Sequence, residues 1–168
     1  KVAFNVNEVR NGNFGGVVAE TNQVAGDIKV NLTDPAKSEV GTIKINARTF
    51  KTDSDRRDGT IARFILKSEK DEFEFIEFKP KTLTGLPGKI EVGKSFSLKI
   101  IGNLTITGVT KEVYFDVTAK LVSENEIQGS GQTLIQYPDF GLEIPSVPSV
   151  ASVEKEVILK IDFKALKI

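Results

Sequence analysis

From Ile101 to Leu121 the chain reads IGNLTITGVTKEVYFDVTAKL, and apolar residues recur at every second position on both sides of Gly108. Leu104 and Ile106 alternate with Asn103, Thr105 and Thr107. Beyond the glycine, Val113, Phe115, Val117 and Ala119 alternate with Tyr114, Asp116, Thr118 and Lys120. A period of two belongs to a strand with one dry face and one wet face. The stretch therefore predicts two strands meeting at a turn.

The same period governs most of the remaining chain. Short strands are expected at Val2–Val6 and Val17–Glu20, with turn residues at Asn11-Gly12-Asn13 between them. Val24 to Leu32 and Val40 to Phe50 read as half-buried strands separated by Asp34-Pro35, the second with Ile43, Ile45 and Ala47 on one face. At Ser54–Lys70 the period changes: Ile61, Phe64 and Ile65 fall at i, i+3 and i+4, which predicts a helix of two to three turns capped by Asp58 or Thr60. Strand signals resume at Glu72–Phe75. Ile76 and Phe78 occupy the opposite phase there, and a bulge would reconcile the two.

Phe96, Leu98 and Ile100 then lead through Gly102 into the opening stretch. Ile127–Gln136 follows, with Gly129 and Gly131 marking a bend or a close backbone approach. Tyr137–Ser149 is a Pro-rich loop, and Val157, Leu159, Ile161, Phe163 and Ala165 alternate along a last strand. The count is about eight strands and one short α-helix, an all-β chain whose hairpins favour an antiparallel barrel or sandwich. A barrel of about eight strands has an interior that side chains fill or that holds one small ligand. Alternation reads the same for both.

Composition narrows the chemistry. With 168 residues, 39% hydrophobic and 27% charged, the chain suits one globular domain over 1–168. Lys+Arg and Asp+Glu both number 23, so no overall charge draws it to nucleic acid. It has no cysteine, histidine, methionine or tryptophan. That removes disulfides, thiolate metal sites, the commonest general base and every Ser-His-Asp triad. No apolar run approaches the roughly 20 residues of a membrane-spanning helix. The chain opens at Lys1 rather than methionine, which a removed signal peptide would explain, as would trimming.

Several pieces carry a more specific pattern. They are Val24-Ala25-Gly26-Asp27-Ile28, the segment Ser38–Thr49 ending in Ala47-Arg48-Thr49, and Thr52-Asp53 followed by Arg57-Asp58. Then come Gly102-Asn103-Leu104-Thr105-Ile106-Thr107-Gly108-Val109-Thr110-Lys111, Asp139-Phe140-Gly141-Leu142, and a closing strand around Val157-Ile158-Leu159. In this order the chain resembles the YceI-like family from about Val18 to its end. The resemblance implies an antiparallel lipocalin-like barrel, open at one end, that holds a long isoprenoid of the polyprenyl phosphate or quinone type. The resemblance also allows other lipids, fatty acids or amides among them, which some relatives similar in fold take. It also implies storage or transport rather than catalysis, no cofactor, and a periplasmic or secreted setting, with the cytoplasm left open. Where many relatives carry histidine, this chain has Glu20-Thr21 and Gly59-Thr60.

The residues expected to face an apolar tunnel are Phe64, Phe73, Phe75, Phe96, Leu98, Ile100, Leu104, Ile106, Phe115 and Phe163. The competing reading is that they fill a core. Tyr137 and Phe140 are candidates for a rim at the mouth, and Arg48 and Arg63 for contact with a head group; Arg56 and Arg57 belong to the same basic set. Pairing of these arginines with Asp53, Asp55 and Asp58 is the simpler reading. Asp53–Gly59 has a superficial likeness to a calcium loop, but Phe64 stands where the closing acid belongs. Glu72, Glu74 and Glu77, or Asp139 and Glu143, are the carboxylates that a glycosidase-type pair would need. A second copy of the chain is a candidate partner. The alternative function is an interaction module with a filled core, acting through its loops.

Overall fold

β8 (Ser95–Ile106) and β9 (Val109–Ser123) pair antiparallel from Ser95–Lys120 to Ile106–Val109. Their two-residue loop has positive φ at both positions, 47° at Thr107 and 78° at Gly108. That backbone matches the twist of a tight hairpin, and glycine adopts it without steric cost. The computed structural model describes residues 1–10, 13–146, 148 and 150–166. Asn11 and Gly12 of the first expected turn lie outside the described residues, as do two positions, 147 and 149, of the Pro-rich loop.

The hairpin is the middle of a nine-stranded antiparallel sheet. In chain order its other strands are β1 (Val2–Arg10), β2 (Asn13–Thr21), β3 (Val24–Ala25), β6 (Ile43–Asn46), β7 (Phe75–Thr84), β10 (Glu126–Gln136) and β11 (Val150–Leu166). The spatial order is β2-β1-β11-β10-β9-β8-β7-β6-β3. The sheet curls until its edges meet. Glu20 and Lys51 exchange backbone hydrogen bonds of 2.9 Å, and the hydroxyls of Thr21 and Thr49 lie 2.6 Å apart. The result is a nearly closed barrel of nine strands, one more than the sequence suggests.

Three segments depart from the expected pattern. The strand read over Val24–Leu32 is broken: Val24–Ala25 joins the barrel, whereas β4 (Ile28–Lys29) pairs with β5 (Glu39–Val40) in a separate ribbon. The strand read over Val40–Phe50 ends at Asn46, whose side chain accepts from Arg48 N and turns the chain into a 3₁₀ helix at Ala47–Thr49. Glu72–Phe75 is not a strand either. Asp71–Phe73 is a 3₁₀ turn, and β7 begins at Phe75 in the phase of Ile76 and Phe78 without a bulge at that point.

The helix forms where the period changes, but with a twist in its second half. α1 (Asp55–Thr60) is capped by Ser54, whose hydroxyl accepts from Arg57 N, not by Asp58 or Thr60. It continues into a π turn at Ile61–Ile65, closed by Leu66 N to Ile61 O at 2.8 Å. Five residues per hydrogen-bonded turn place Leu66, not Phe64, over Ile61. Ile61 and Leu66 are buried, and Phe64 is 58% exposed.

Candidate functional site

In a filled barrel, inward side chains lose all their surface to packing. Here Leu104, Ile106, Phe115 and Val117 are buried, but Phe4, Leu98, Leu159, Ile161 and Phe163 face the same interior and are only half-buried. All nine line a cavity of about 340 Å³, and its wall is almost wholly apolar. Apart from Tyr137, the charged and hydroxyl-bearing lining residues come from two parts of the fold. Lys1, Lys160, Asp162 and Lys164 stand on the side of β1 and β11, and Asp27, Ser38 and Glu39 on the side of the β4–β5 ribbon.

Register explains this opening. β1 starts at Val2, opposite Ile161, and Lys1 exchanges backbone hydrogen bonds of 2.8 Å with Asp162, so the residues of β11 beyond Asp162 pair with β10 on one side and with no described strand on the other. At the hairpin end, Phe140 (2% exposed) and Leu142 pack into the same cluster as Ile106, Ile61 and Leu66. Thr107 Oγ1 donates to Phe140 O at 3.5 Å.

Seven of the ten residues expected to face a tunnel line the cavity: Phe96, Leu98, Ile100, Leu104, Ile106, Phe115 and Phe163. Phe64, Phe73 and Phe75 do not. The π turn rotates Phe64 outward, the 3₁₀ turn sets Phe73 beside Gly108, and Phe75 points out at 45% exposure because its neighbour Ile76 takes the inner phase. Of the expected rim, Tyr137 lines the cavity, but Phe140 is part of the packed end.

Arg48 and Arg63 stand away from the cavity. Arg48 donates to Asp71 Oδ1 at 2.6 Å and lies 3.4 Å from Glu74, and Arg63 pairs with Glu69 at 3.0 Å. The walls contributed by β1 and β11, notably Phe4, Leu159 and Ile161, were not singled out from the sequence. Their alternation is clear enough to have included them.

None of the carboxylates nominated for an acid–base pair lines the cavity. Glu77 is held below its ordinary range, chiefly by hydrogen bonding to Lys44 with Lys79 adding to it, against a smaller opposing effect of burial. A proton donor needs the opposite shift. Asp53, Asp55 and Asp58 do not converge either: Asp53 pairs with Arg57, and among the described residues no three acidic side chains form a metal-binding group.

Asp58 has a different task. It is buried, and burial opposes its charge, yet its value is lowered because its carboxylate accepts from both the hydroxyl and the N–H of Thr52, at 2.7 Å each, and meets Lys51 Nζ at 3.3 Å. Lys51 is also the residue that closes the barrel seam against Glu20. A carboxyl whose folded value lies below its unfolded one contributes stability at neutral pH and loses it as pH falls through the folded value. Asp58→Ala is therefore expected to cost about 2 kcal/mol at pH 7 in urea unfolding, the range for hydrogen bonds to a charged group. The gap between variant and wild type should begin to shrink below about pH 4, the ordinary carboxyl value, and go on shrinking as pH falls through the lower folded value. A gap that stays constant from neutral to acid pH would remove the carboxylate from the account.

The family model for the YceI-like domain matches residues 1–165. The chain belongs to the YceI-like family. Solved structures agree at the level of fold. BcnA of Burkholderia cenocepacia superposes with a TM-score of 0.75 at 16% identity, over 98% of this chain and 95% of that one. A polyisoprenoid-binding domain from Saccharophagus degradans, implicated in plant cell wall breakdown, gives 0.74 at 12% identity, over 99% and 94%. The YceI protein of Campylobacter jejuni gives 0.70 at 18%, over 89% and 84%. Among curated proteins no sequence match was found. Within the YceI-like barrel, the motif residues Gly102 and Gly108 serve backbone geometry, and Leu104 and Ile106 between them line the cavity.

Proposed function

We propose that this YceI-like chain binds a long apolar lipid, an isoprenoid in particular, inside the barrel and carries it without altering it. The observation that carries the reading is the hollow itself: inward apolar side chains that keep free surface around a cavity of about 340 Å³. Each methylene moved from water into such a wall gains about 0.8 kcal/mol, so a prenyl tail binds without any special chemistry. Polar lining residues at the opening are suited to leaving a head group in water while the tail is buried. The polyisoprenoid-binding domain from Saccharophagus degradans, which shares the fold, supports an isoprenoid over a straight chain. A filled-core interaction module fits the cavity less well.

The volume lies toward the lower end of the roughly 300–1,000 Å³ of small-molecule sites, so the cavity takes a limited length of tail. Native mass spectrometry after gentle purification is expected to show a co-purifying lipid. In a series of prenols, affinity should climb with each isoprene unit and then level off once the cavity is full. A chain that comes out lipid-free and ignores every added prenol would overturn the reading.

A further inference from the structure

Residues 27–40 form part of the cavity wall without belonging to the barrel. β4 and β5 make their own two-stranded sheet, and Ile28, Val30 and Val40 line the cavity from it. The segment is stitched to itself. Asn31 Oδ1 accepts from Thr33 N, Thr33 Oγ1 and Asp34 N, and Asn31 N donates to Ser38 Oγ at 3.0 Å. Lys29 pairs with Glu39, and Lys37 with Asp34. Among the described residues, every side-chain hydrogen bond and ion pair of 27–40 closes within the segment. Apart from the bond of Gly41 N to Asp27 O at its foot, its backbone reaches the rest of the described protein through one long bond, Ile90 N to Leu32 O at 3.5 Å.

Gly26 and Gly41 stand at the two feet. Gly41 N donates to Asp27 O at 2.9 Å, and a Cβ on Gly41 would meet the Asp27 carboxylate at 2.3 Å, so a side chain there would push that carboxylate aside. Asp27 and Glu39 of the segment line the same cavity as Asp162 and Lys164 of β11, whose last residues, beyond the Lys1–Asp162 backbone pair, have no described strand on their outer side. A body whose polar contacts close on themselves, held from outside mainly by apolar packing of Val30, Leu32 and Val40, and flanked by glycines is built to move as one piece.

We propose that residues 27–40 are a hinged flap, turning about Gly26 and Gly41, and that the lipid enters and leaves beneath it, along the end of β11 beyond Asp162 that only β10 flanks. The flap rests on the carrier reading above. Its tip docks on Ile90 through Leu32, which packs in the cluster around Ile90. The chain has no cysteine of its own, so the pair Leu32→Cys/Ile90→Cys can staple the tip cleanly.

Uptake of geranylgeraniol from phosphatidylcholine vesicles is the readout. The oxidised pair is expected to load at least about tenfold more slowly than the reduced pair, and reductant restores the rate. Equal rates in both forms overturn the flap and leave the carrier reading standing. No uptake by the unmodified chain overturns the carrier reading and the flap with it. Should the cysteine pair fail to fold, hydrogen exchange on the unmodified chain decides. Amides of 27–40 are expected to exchange about tenfold or more faster than those of β8 and β9, and to slow when geranylgeraniol is added. Protection equal to that of β8 and β9 overturns the flap.

Discussion

The variant Leu98→Trp is expected to stay folded and to lose about 100-fold in affinity for a long prenol. Leu98 lies on β8 opposite Val117, faces inward and is only half-buried because it borders the cavity. In a filled interior the larger ring would force its neighbours apart at a cost of about 1–3 kcal/mol. In a hollow one it occupies empty space, and stability should change by less than about 1 kcal/mol. The ligand meets the opposite fate. Room for three or four methylenes disappears, each worth about 0.8 kcal/mol, and a total near 3 kcal/mol is about two orders of magnitude in affinity. The wild-type chain has no tryptophan, so the new indole also reports directly on ligand arrival by fluorescence. Leu134→Ala is the control. That residue is 56% exposed on the outer face, and its loss should leave binding unchanged. If Leu98→Trp instead unfolds the chain by more than about 3 kcal/mol, the interior is packed and the carrier reading goes with it.

Alternation made the barrel legible because a strand with one wet face must show its period in the sequence. β8, β9, β10 and the last half of β11 lie where that period puts them. What alternation does not carry is the distance across the barrel, and so Leu98 and Leu104 look alike in sequence although Leu98 is half-buried and Leu104 is 2% exposed. Where the backbone changes pitch, the period misleads. One π turn moved Phe64 from the inner to the outer face, and a 3₁₀ turn set Phe73, half-buried, beside Gly108 and off the cavity wall. The break in Val24–Leu32 falls at Gly26-Asp27. Ile28, Val30 and Leu32 keep their alternation beyond it, because the β4–β5 ribbon also has an inner and an outer face. Period alone cannot say which sheet a strand joins. Arg48 and Arg63 found carboxylates close by in the chain fold, as surface arginines mostly do.

Gly102→Ala is expected to destabilise the chain by about 3 kcal/mol or more, because a methyl group there meets backbone rather than side chain. A Cβ on residue 102 would lie 2.4 Å from Lys79 O and 2.8 Å from Pro80 Cα, and neither can rotate aside. The crowding arises where β7 carries an extra residue: its register against β8 shifts between Pro80, opposite Gly102, and Thr82, opposite Ile101. That bulge has a purpose for the cavity. Phe78 and Leu83 are five positions apart, and in an unbroken strand they would face opposite ways. With one residue bulged out, both line the cavity, so Gly102 permits the bulge and the bulge turns Leu83 inward. A methyl group at residue 102 forces the two strands apart or slides their register, and either outcome costs ladder hydrogen bonds and a piece of the wall. Gly59→Ala is the matching control, since nothing lies within 4 Å of the added Cβ and the site is helical. It should stabilise by up to about 1 kcal/mol. Urea unfolding of the two variants side by side separates the cost of losing glycine from the cost of this contact. A Gly102→Ala chain within about 1 kcal/mol of wild type would mean that β7 and β8 do not approach this closely, and the inward turn of Leu83 would then need another cause.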